Sequence, residues 1–272
     1  MSRMRRLVPR VVAHRGASAE AAEHTLAAYL LALEQGADGL ECDVRMTRDG
    51  HLVCIHDSRI DRTSTGSGPV SAYDLATLAA YDFGVRSDEQ DASDAASGAA
   101  ADPGRPHVGV LTLVQLLGLI ADWPDPVKLF IETKHPAPQR GLIETTLVAL
   151  LAEHGLATPE SRQDSPVVIM SFSAKALRRV REAAPKLPTV ALLPTLSGVR
   201  SGKLPAWADI AGPRFGALRT DPGFVLRAAA HGHPTYCWTV DEPTQVALCA
   251  ELGVTYLATN RPATALRQLA AS

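Results

Sequence analysis

The chain has 272 residues, of which 46% are hydrophobic, and a formal net charge of −2. This length and apolar content allow one large core and do not require a second domain. The near-neutral charge lacks the basic stripe of a nucleic-acid-binding protein, and no apolar stretch reaches the ~20 residues of a membrane span. We therefore expect one domain over residues 1–272, with no nucleic-acid partner and no stable membrane anchor.

Short β-branched runs alternate with longer stretches of helical period along the whole chain. This repetition predicts a parallel sheet with helical crossovers, and about eight such units in ~250 residues favour a (β/α)8 barrel. An open doubly wound sheet is the alternative, but no GxGxxG or P-loop spacing supports it. The predicted elements are the strand RVVAH, helix HTLAAYLLALEQG, strands GLECDVRMT and HLVCIHD, helices AYDLATLAAYD and LTLVQLLGLIADW, strand VKLFIETK, helix LIETTLVALLAEHG, strand PVVIMSF, helix SAKALRRVREAA, strands TVALLPT, FGALRT and PTYCWTV, helix EPTQVALCAELG and strand VTYLATN.

Two segments depart from the β-then-α repeat. MTRDGH is too short to hold a helix, and its Asp49-Gly50 pair is a tight-turn signal, so this segment predicts a hairpin. Residues 87–106 contain no aliphatic side chain larger than alanine. That composition predicts a polar flexible insertion at about 86–107, either a tolerated surface loop or a lid over the barrel mouth.

Carboxylates occur at the ends of several predicted strands, where a barrel of this type has its active site. Glu41 and Asp43 are two residues apart on one strand and therefore share a face, as do Glu132 and Lys134 on another. Three carboxylates at one barrel mouth repel each other unless a cation neutralises them. Oxygen ligands favour a hard ion, so Glu41, Asp43 and Glu132 predict one divalent cation, Mg²⁺ or Ca²⁺.

Two histidines also end predicted strands, His14 beside Arg15 and His56 beside Asp57. Imidazole gives and takes protons near neutral pH, so the pair suggests acid–base catalysis. Arg15 and Lys134 add fixed positive charge of the kind that binds phosphate oxygens. Together these groups predict charge stabilisation and proton transfer at a phosphate ester.

Several motifs, found in order over nearly the whole chain, resemble the signatures of glycerophosphodiester phosphodiesterases. The resemblance implies a (β/α)8 TIM barrel of the phospholipase-C-like phosphodiesterase type. It also implies metal-dependent hydrolysis of small-molecule glycerophosphodiesters to glycerol 3-phosphate and an alcohol, through a cyclic phosphate in related enzymes. The motifs are AHRGASAEAAEHTLAAY, GADGLECDVRMTRDGHLVCIHD, DRTSTGSGPV, FIETKHP, MSFS and YCWTVDEP.

The resemblance also implies a role for each residue of the predicted site. The metal would be held by Glu41, Asp43 and Glu132. The acid–base pair would be His14 and His56, and the sequence leaves open which of them is the base and which the acid in each step. The phosphate would be bound by Arg15 and Lys134, and the glycerol pocket would be walled by Trp238.

The chain departs from the family pattern at two positions and in one segment, because the stretch between the HD strand and LTLVQLL is polar and alanine-rich where many relatives carry aromatic residues, and this bears on recognition of the leaving alcohol. The usual E-N-T reads Glu23-His24-Thr25 here. His24 either reaches the substrate or starts the helix, and the apolar period that follows favours the helix start. The usual T-D-x-P carries Asn260, a change that we expect to alter a structural hydrogen bond. The glycines of DRTSTGSGPV could cradle a phosphate, but a turn is the expected role.

Two other functions remain as alternatives. A phospholipase-D-like or lysophospholipase-type activity would need an apolar groove, and only 5% of residues are aromatic. A catalytically inactive barrel that acts as a scaffold is the other. The four cysteines show no CxxC spacing, which predicts buried reduced thiols. No apolar segment of signal-peptide length begins the chain, so we expect a cytosolic protein. The sequence does not assign an oligomeric state.

Overall fold

The computed structural model describes residues 8–85, 106–138 and 141–271. The predicted flexible insertion at about 86–107 lies almost wholly outside these residues. All four cysteines are buried and free, as the sequence predicts. Within the described ranges, no helix combines the length and the apolar character needed to cross a membrane.

Eight parallel strands form the barrel, in the spatial order β7-β6-β5-β4-β2-β1-β9-β8. Isolated bridges join Ala211 to Thr235 and Arg214 to Trp238, so β7 meets β8 and the ring is nearly closed. The predicted (β/α)8 barrel is therefore confirmed over the open sheet. The strands are β1 (Arg10–His14), β2 (Gly39–Met46), β3 (Leu52–Cys54), β4 (Lys128–Thr133), β5 (Val167–Ser171), β6 (Thr189–Leu193), β7 (Ile210–Pro213), β8 (Tyr236–Cys237) and β9 (Tyr256–Thr259).

The remaining strand, β3, lies outside the ring and pairs antiparallel with β2, with Val44 opposite Cys54. The connection turns at Gly50, whose φ of +91° is a conformation that glycine adopts without strain. The hairpin predicted from Asp49-Gly50 is therefore confirmed. It delivers the residues that follow Cys54 to the same edge of the barrel as the end of β2.

Helices follow most barrel strands and cover its outer surface. The segment FGALRT, predicted as a strand, is instead the helix Phe215–Thr220, and the strand lies just before it at Ile210–Pro213. Six residues with mixed apolar and polar positions do not separate the two periods, and Ala, Leu and Arg favour a helix. The described α-helices are α1 (Leu26–Glu34), α2 (Leu75–Ala79), α3 (Leu113–Asp122), α4 (Leu142–Glu153), α5 (Ala174–Ala183), α6 (Phe215–Thr220), α7 (Phe224–Ala230), α8 (Pro243–Leu252) and α9 (Pro262–Ala270).

Strand alternation separates an apolar barrel interior from the charged groups above it. His14 lies two residues after Val12, and Glu132 lies two residues after Phe130, so each polar side chain faces the interior that its apolar neighbour fills. The interior cluster comprises the buried residues Val12, Phe130, Val168, Met170, Val190, Leu192, Ile210, Tyr236 and Ala258. The charged groups therefore sit at the carboxyl ends of the strands, which is the functional face of this fold.

Candidate active site

Three buried carboxylates meet at the mouth of the barrel. Asp43 on β2 is in register with Glu132 on β4, and Glu41 precedes Asp43 by two residues. Each side chain offers one oxygen, and these oxygens lie within 4.8 Å of one another. The sequence predicted this convergence from strand parity and from the position of the carboxylates at predicted strand ends, and the parallel pairing of β2 with β4 produces it.

The electrostatics of this acidic cluster fit a bound cation. Burial and the charge of Asp43 raise the pKa of Glu41 well above its usual value and that of Glu132 to about 7. Asp43 Oδ1 is buried and accepts no hydrogen bond from any described residue. An all-oxygen donor set that includes a buried oxygen without a hydrogen bond suits a hard divalent cation. The acidic cluster could therefore hold a metal ion.

Lys134 and Arg15 supply positive charge beside the acids. Lys134 Nζ lies 2.8 Å from Glu132 Oε1 and 3.3 Å from Asp43 Oδ1. Arg15 Nε lies 3.1 Å from Asp43 Oδ2, and the backbone N–H of Arg15 donates to Glu41 Oε2 at 3.1 Å. Arg15 adopts a φ of +61°, a strained conformation for a residue with a side chain. That backbone turn aims both its N–H and its guanidinium at the acids.

His14 ends β1 with its ring held by an amide. Its Nδ1 lies 2.8 Å from Asn260 Oδ1, and Asn260 Nδ2 donates to Asp241 Oδ2 at 2.8 Å. The bond to Asp241 orients the amide so that its oxygen faces the ring, and an oxygen only accepts, so Nδ1 carries the proton. The lone pair of Nε2 then points toward the acids, 3.9 Å from Glu41 Oε2. The hydrogen bond of Asn260 is therefore made to the ring of His14, a predicted catalytic residue.

Burial and the charge of Arg15 lower the pKa of His14 to about 3. An imidazole in this environment stays neutral near pH 7, with Nε2 free to accept a proton.

His56 follows β3 and has a carboxylate partner. Its Nδ1 lies 2.7 Å from Asp57 Oδ1. Burial lowers the pKa of His56, while the charge of Asp43 opposes that change and Arg15 adds to it. Arg45 also fixes the segment, because its guanidinium donates from Nε and Nη2 to the His56 carbonyl at 2.9 and 2.7 Å. A carboxylate on Nδ1 stabilises the charged ring, so His56 is better suited than His14 to hold a proton and release it.

Sequence reasoning missed an ion-pair network that joins the two histidine-bearing segments. Arg62 Nε donates to Asp57 Oδ2 at 2.7 Å, and its Nη1 and Nη2 donate to the two oxygens of Glu23 at 2.7 and 2.8 Å. Glu23 also accepts from Arg15 Nη1 at 3.3 Å. Both residues lie in motifs that the sequence analysis identified, Glu23 in EHT and Arg62 in DRTSTG. Both are on loops, however, and the alternation of side chains along a strand does not predict where loop residues lie.

His24 is part of the site, so its expected helix-start role is wrong. Thr25 caps α1, and its Oγ1 accepts from the Ala28 N–H. The His24 side chain instead places Nε2 3.0 Å from Asp43 Oδ2 and Nδ1 2.8 Å from the Tyr29 hydroxyl. The positive φ of His24, +58°, turns the side chain away from the helix and toward the acids. The sequence could not show which of the adjacent residues His24 and Thr25 caps the helix and which contacts the acidic cluster.

Trp238 directly follows β8, on the far side of the mouth. Its indole N–H donates to the Gly212 carbonyl at 2.7 Å, and its ring packs edge-on against Phe172 with centroids 5.4 Å apart. Phe172 is half exposed, and Lys134 Nζ lies 6.0 Å from its ring centre. Trp238 therefore reaches the site through Phe172, which the quoted motif MSFS contains and which sequence reasoning did not single out.

The glycine-rich segment after β3 is a set of turns, as expected. The Gly68 N–H donates to Asp61 Oδ2 at 3.0 Å, and the Gly66 N–H donates to Ser64 Oγ at 3.1 Å. Both amides are used within the segment itself. The cradle for a phosphate that these glycines suggested is therefore not formed by these two N–H groups.

A parallel barrel with acids, imidazoles and cations at its mouth has the architecture of a phosphodiesterase. Residues 14–264 match the Glycerophosphoryl diester phosphodiesterase family. The chain belongs to this family and is an enzyme of the glycerophosphodiester phosphodiesterase class, which confirms the resemblance.

Similar proteins agree along nearly the full chain. A "Probable glycerophosphodiester phosphodiesterase 1" from Mycobacterium tuberculosis is 50% identical over 255 residues, covering 93% of this chain and 90% of its own. The Bacillus subtilis glycerophosphodiester phosphodiesterase is 32% identical over 256 residues, covering 92% and 83%.

Two solved structures share the fold. A putative glycerophosphoryl diester phosphodiesterase from Silicibacter pomeroyi superposes with a TM-score of 0.79 at 25% identity, covering 97% of this chain and 94% of that one. A phosphodiesterase from Oleispira antarctica, solved in complex with the product sn-glycerol-3-phosphate, gives a TM-score of 0.76 at 21% identity and covers 97% of both chains.

Proposed function

We propose that this enzyme hydrolyses glycerophosphodiesters to sn-glycerol 3-phosphate and an alcohol, with a divalent cation and with His14 and His56 as the acid–base pair. The observation that carries the proposal is the meeting of three buried carboxylates at one barrel mouth, with His14 Nε2 3.9 Å from Glu41 and with His56 following Ile55, whose N–H donates to the Asp43 carbonyl. The product complex of the Oleispira antarctica phosphodiesterase supports sn-glycerol 3-phosphate as the product. The bound substrate is a small molecule.

The proposed metal ligands are Glu41, Asp43 and Glu132, and the proposed ion is Mg²⁺ or Ca²⁺. Such an ion, when bound, supplies positive charge that polarises the phosphate and stabilises charge in the transition state. Arg15 and Lys134 bind phosphate oxygens from the rim of the acidic cluster. Arginine offers paired donors to the phosphate, and lysine offers a mobile point charge.

The hydrogen bonds of the two histidines support different tasks for them. His14 carries its proton on Nδ1 and presents the Nε2 lone pair, so it takes the proton from the attacking hydroxyl. His56, paired with Asp57, donates a proton to the oxygen of the leaving alcohol. The attacking group is the neighbouring hydroxyl of the glycerol moiety, which gives a cyclic phosphate. Water then opens that ring, with the proton transfers reversed. Trp238 and Phe172 wall the glycerol side of the mouth.

The test measures release of glycerol 3-phosphate from glycerophosphocholine, with Mg²⁺ or Ca²⁺ and with EDTA. We expect activity with at least one metal and its loss in EDTA. His14→Ala and His56→Ala should each lower kcat by on the order of 10²-fold or more, because each removes a proton-transfer group. His154→Ala, at the end of α4 and exposed, is the matched control and should keep the wild-type rate.

The proposal fails if no metal supports product release or if both histidine variants keep full activity. A lysolipid assayed in parallel separates this function from the lysophospholipase-type alternative. We further propose a cytosolic location, because the four buried cysteines are free thiols of the kind that a reducing compartment maintains.

A further inference from the structure

A cavity of about 330 Å³ lies between β2 and the segments that follow β3 and β4. Three of the segments that line it also carry site residues: Arg45 follows Asp43 on β2, Ser58 follows His56 after β3, and Pro136 follows Lys134 after β4. Arg45 connects the cavity with the site, because its guanidinium donates to the His56 carbonyl. The proposed chemistry does not use this cavity.

The walls of the cavity are mostly apolar, with contributions from Pro69, Val70, Ala137 and Pro138. Arg45 is the one charged side chain among the lining residues that the structure describes. A mostly apolar cavity with a single cation repels a second cation and favours a group that accepts hydrogen bonds.

The guanidinium of Arg45 is placed to bind such a group. Arg45 lies two residues beyond Asp43 on β2, so strand alternation brings it to the same face as the acids. Its Nε and Nη2 donate to the His56 carbonyl. No described residue accepts a hydrogen bond from Nη1. Arg45 is therefore held rigidly by one contact and still has donors to offer a ligand.

We propose that this cavity receives the leaving alcohol of the substrate, and that Arg45 selects alcohols bearing hydroxyl or carboxylate oxygens over quaternary ammonium alcohols. The inference rests on the proposed function and deepens it. The position follows from the role of His56, because the group that protonates the leaving oxygen must lie beside the leaving alcohol. Trp238 follows β8, which pairs with neither β2 nor β4, so the glycerol moiety is placed at the Trp238 side of the mouth.

The experiment compares kcat/KM for glycerophosphoglycerol, glycerophosphoserine and glycerophosphocholine in the wild-type enzyme and in Arg45→Gln. The wild type should prefer the two oxygen-bearing alcohols by about ten-fold or more, which is what one hydrogen bond to a charged group provides. Arg45→Gln should lower all three rates, since the side chain also holds the His56 carbonyl, and it should abolish the preference. The ratio between substrates is the readout, because a purely structural role would lower the three rates alike.

Two further variants keep the result interpretable. Arg59→Gln removes an exposed arginine of the same loop, paired with Asp61, and should leave the ratio unchanged. Ser71→Phe narrows the cavity while keeping Arg45. It should lower kcat/KM for glycerophosphoglycerol and spare the methyl ester of glycerol phosphate, whose leaving group does not fill the cavity.

Three results would overturn the inference. They are a wild-type enzyme without a preference among the leaving alcohols, a preference that survives Arg45→Gln, and an equal loss of kcat/KM on glycerophosphoglycerol and the methyl ester in Ser71→Phe. Each of these outcomes leaves the proposed phosphodiesterase function intact. Only the absence of turnover on every ester contradicts that function, and it would remove this inference as well.

Discussion

Replacing Glu23 by glutamine tests how much the ion pairs of Glu23 with Arg62 and Arg15 stabilise the folded protein. Glu23 accepts hydrogen bonds from Arg62 at 2.7 and 2.8 Å and from Arg15 at 3.3 Å, and its side chain is only 13% exposed. Glu23→Gln keeps the shape of the side chain and removes its charge. Two guanidinium groups then lose a shared, largely buried partner.

The magnitude follows from the pKa of Glu23. Burial opposes its ionisation, but hydrogen bonds from Arg62 and the charge of Arg15 outweigh burial and lower the pKa from 4.5 to about 2. Each pKa unit corresponds to about 1.4 kcal/mol, so the charged form stabilises the folded protein by about 3 kcal/mol at pH 7. Because the folded-state pKa is the lower one, this contribution is complete above about pH 4.5 and is lost as the pH falls toward 2.

The assay is urea unfolding of the wild type and of Glu23→Gln between pH 7 and pH 3. We expect the difference in unfolding free energy to be about 3 kcal/mol at pH 7 and roughly half of that at pH 3. Glu20→Gln, an exposed carboxylate of the same loop that accepts from Gln35, is the matched control and should have little effect. A difference that is small at pH 7, or that stays constant down to pH 3, would refute the reasoning.

Three further predictions concern neighbouring contacts. Asn260→Asp places a carboxylate beside Nδ1 of His14, which raises the pKa of His14. Because the protonated ring cannot act as the base, the acid limb of the kcat/KM–pH profile should move to higher pH. A limb at the wild-type position would contradict this. Tyr29→Phe removes the buried hydroxyl bonded to His24, and urea unfolding should show a loss of about 1–3 kcal/mol. Gly16→Ala would bring a Cβ within 2.6 Å of the α1 backbone, so its melting temperature should fall well below that of Gly50→Ala, which has a similar positive φ but open space around it.

The sequence predicted those parts of the fold that depend on short-range periodicity. Parity along β2 and β4 was enough to place Glu41, Asp43 and Glu132 on one face, and parallel pairing then brought them together. The hairpin at Gly50 followed from its turn residues. FGALRT failed because six residues carry too little periodicity to separate a helix from a strand.

The sequence could not predict contacts that depend on loop conformation. Glu23 and Arg62 are 39 positions apart, and both lie on irregular segments, so no periodic pattern relates them. His24 was assigned to the start of a helix because a sequence pattern does not show which of two adjacent residues caps it. Asn260 was recognised as a departure from the family, yet its contact with His14 spans 246 positions and required the closed barrel.

The β2–β3 hairpin has a consequence for how this enzyme can diversify. Every other strand belongs to the ring, where a change of length or register would disturb the neighbours on both sides. His56 and Ser58 instead follow a strand outside the ring, which pairs with β2 and is joined to Thr112 by an isolated bridge. Mutations beyond Ile55 can therefore reshape the side of the proposed alcohol cavity without changing the length or register of a barrel strand.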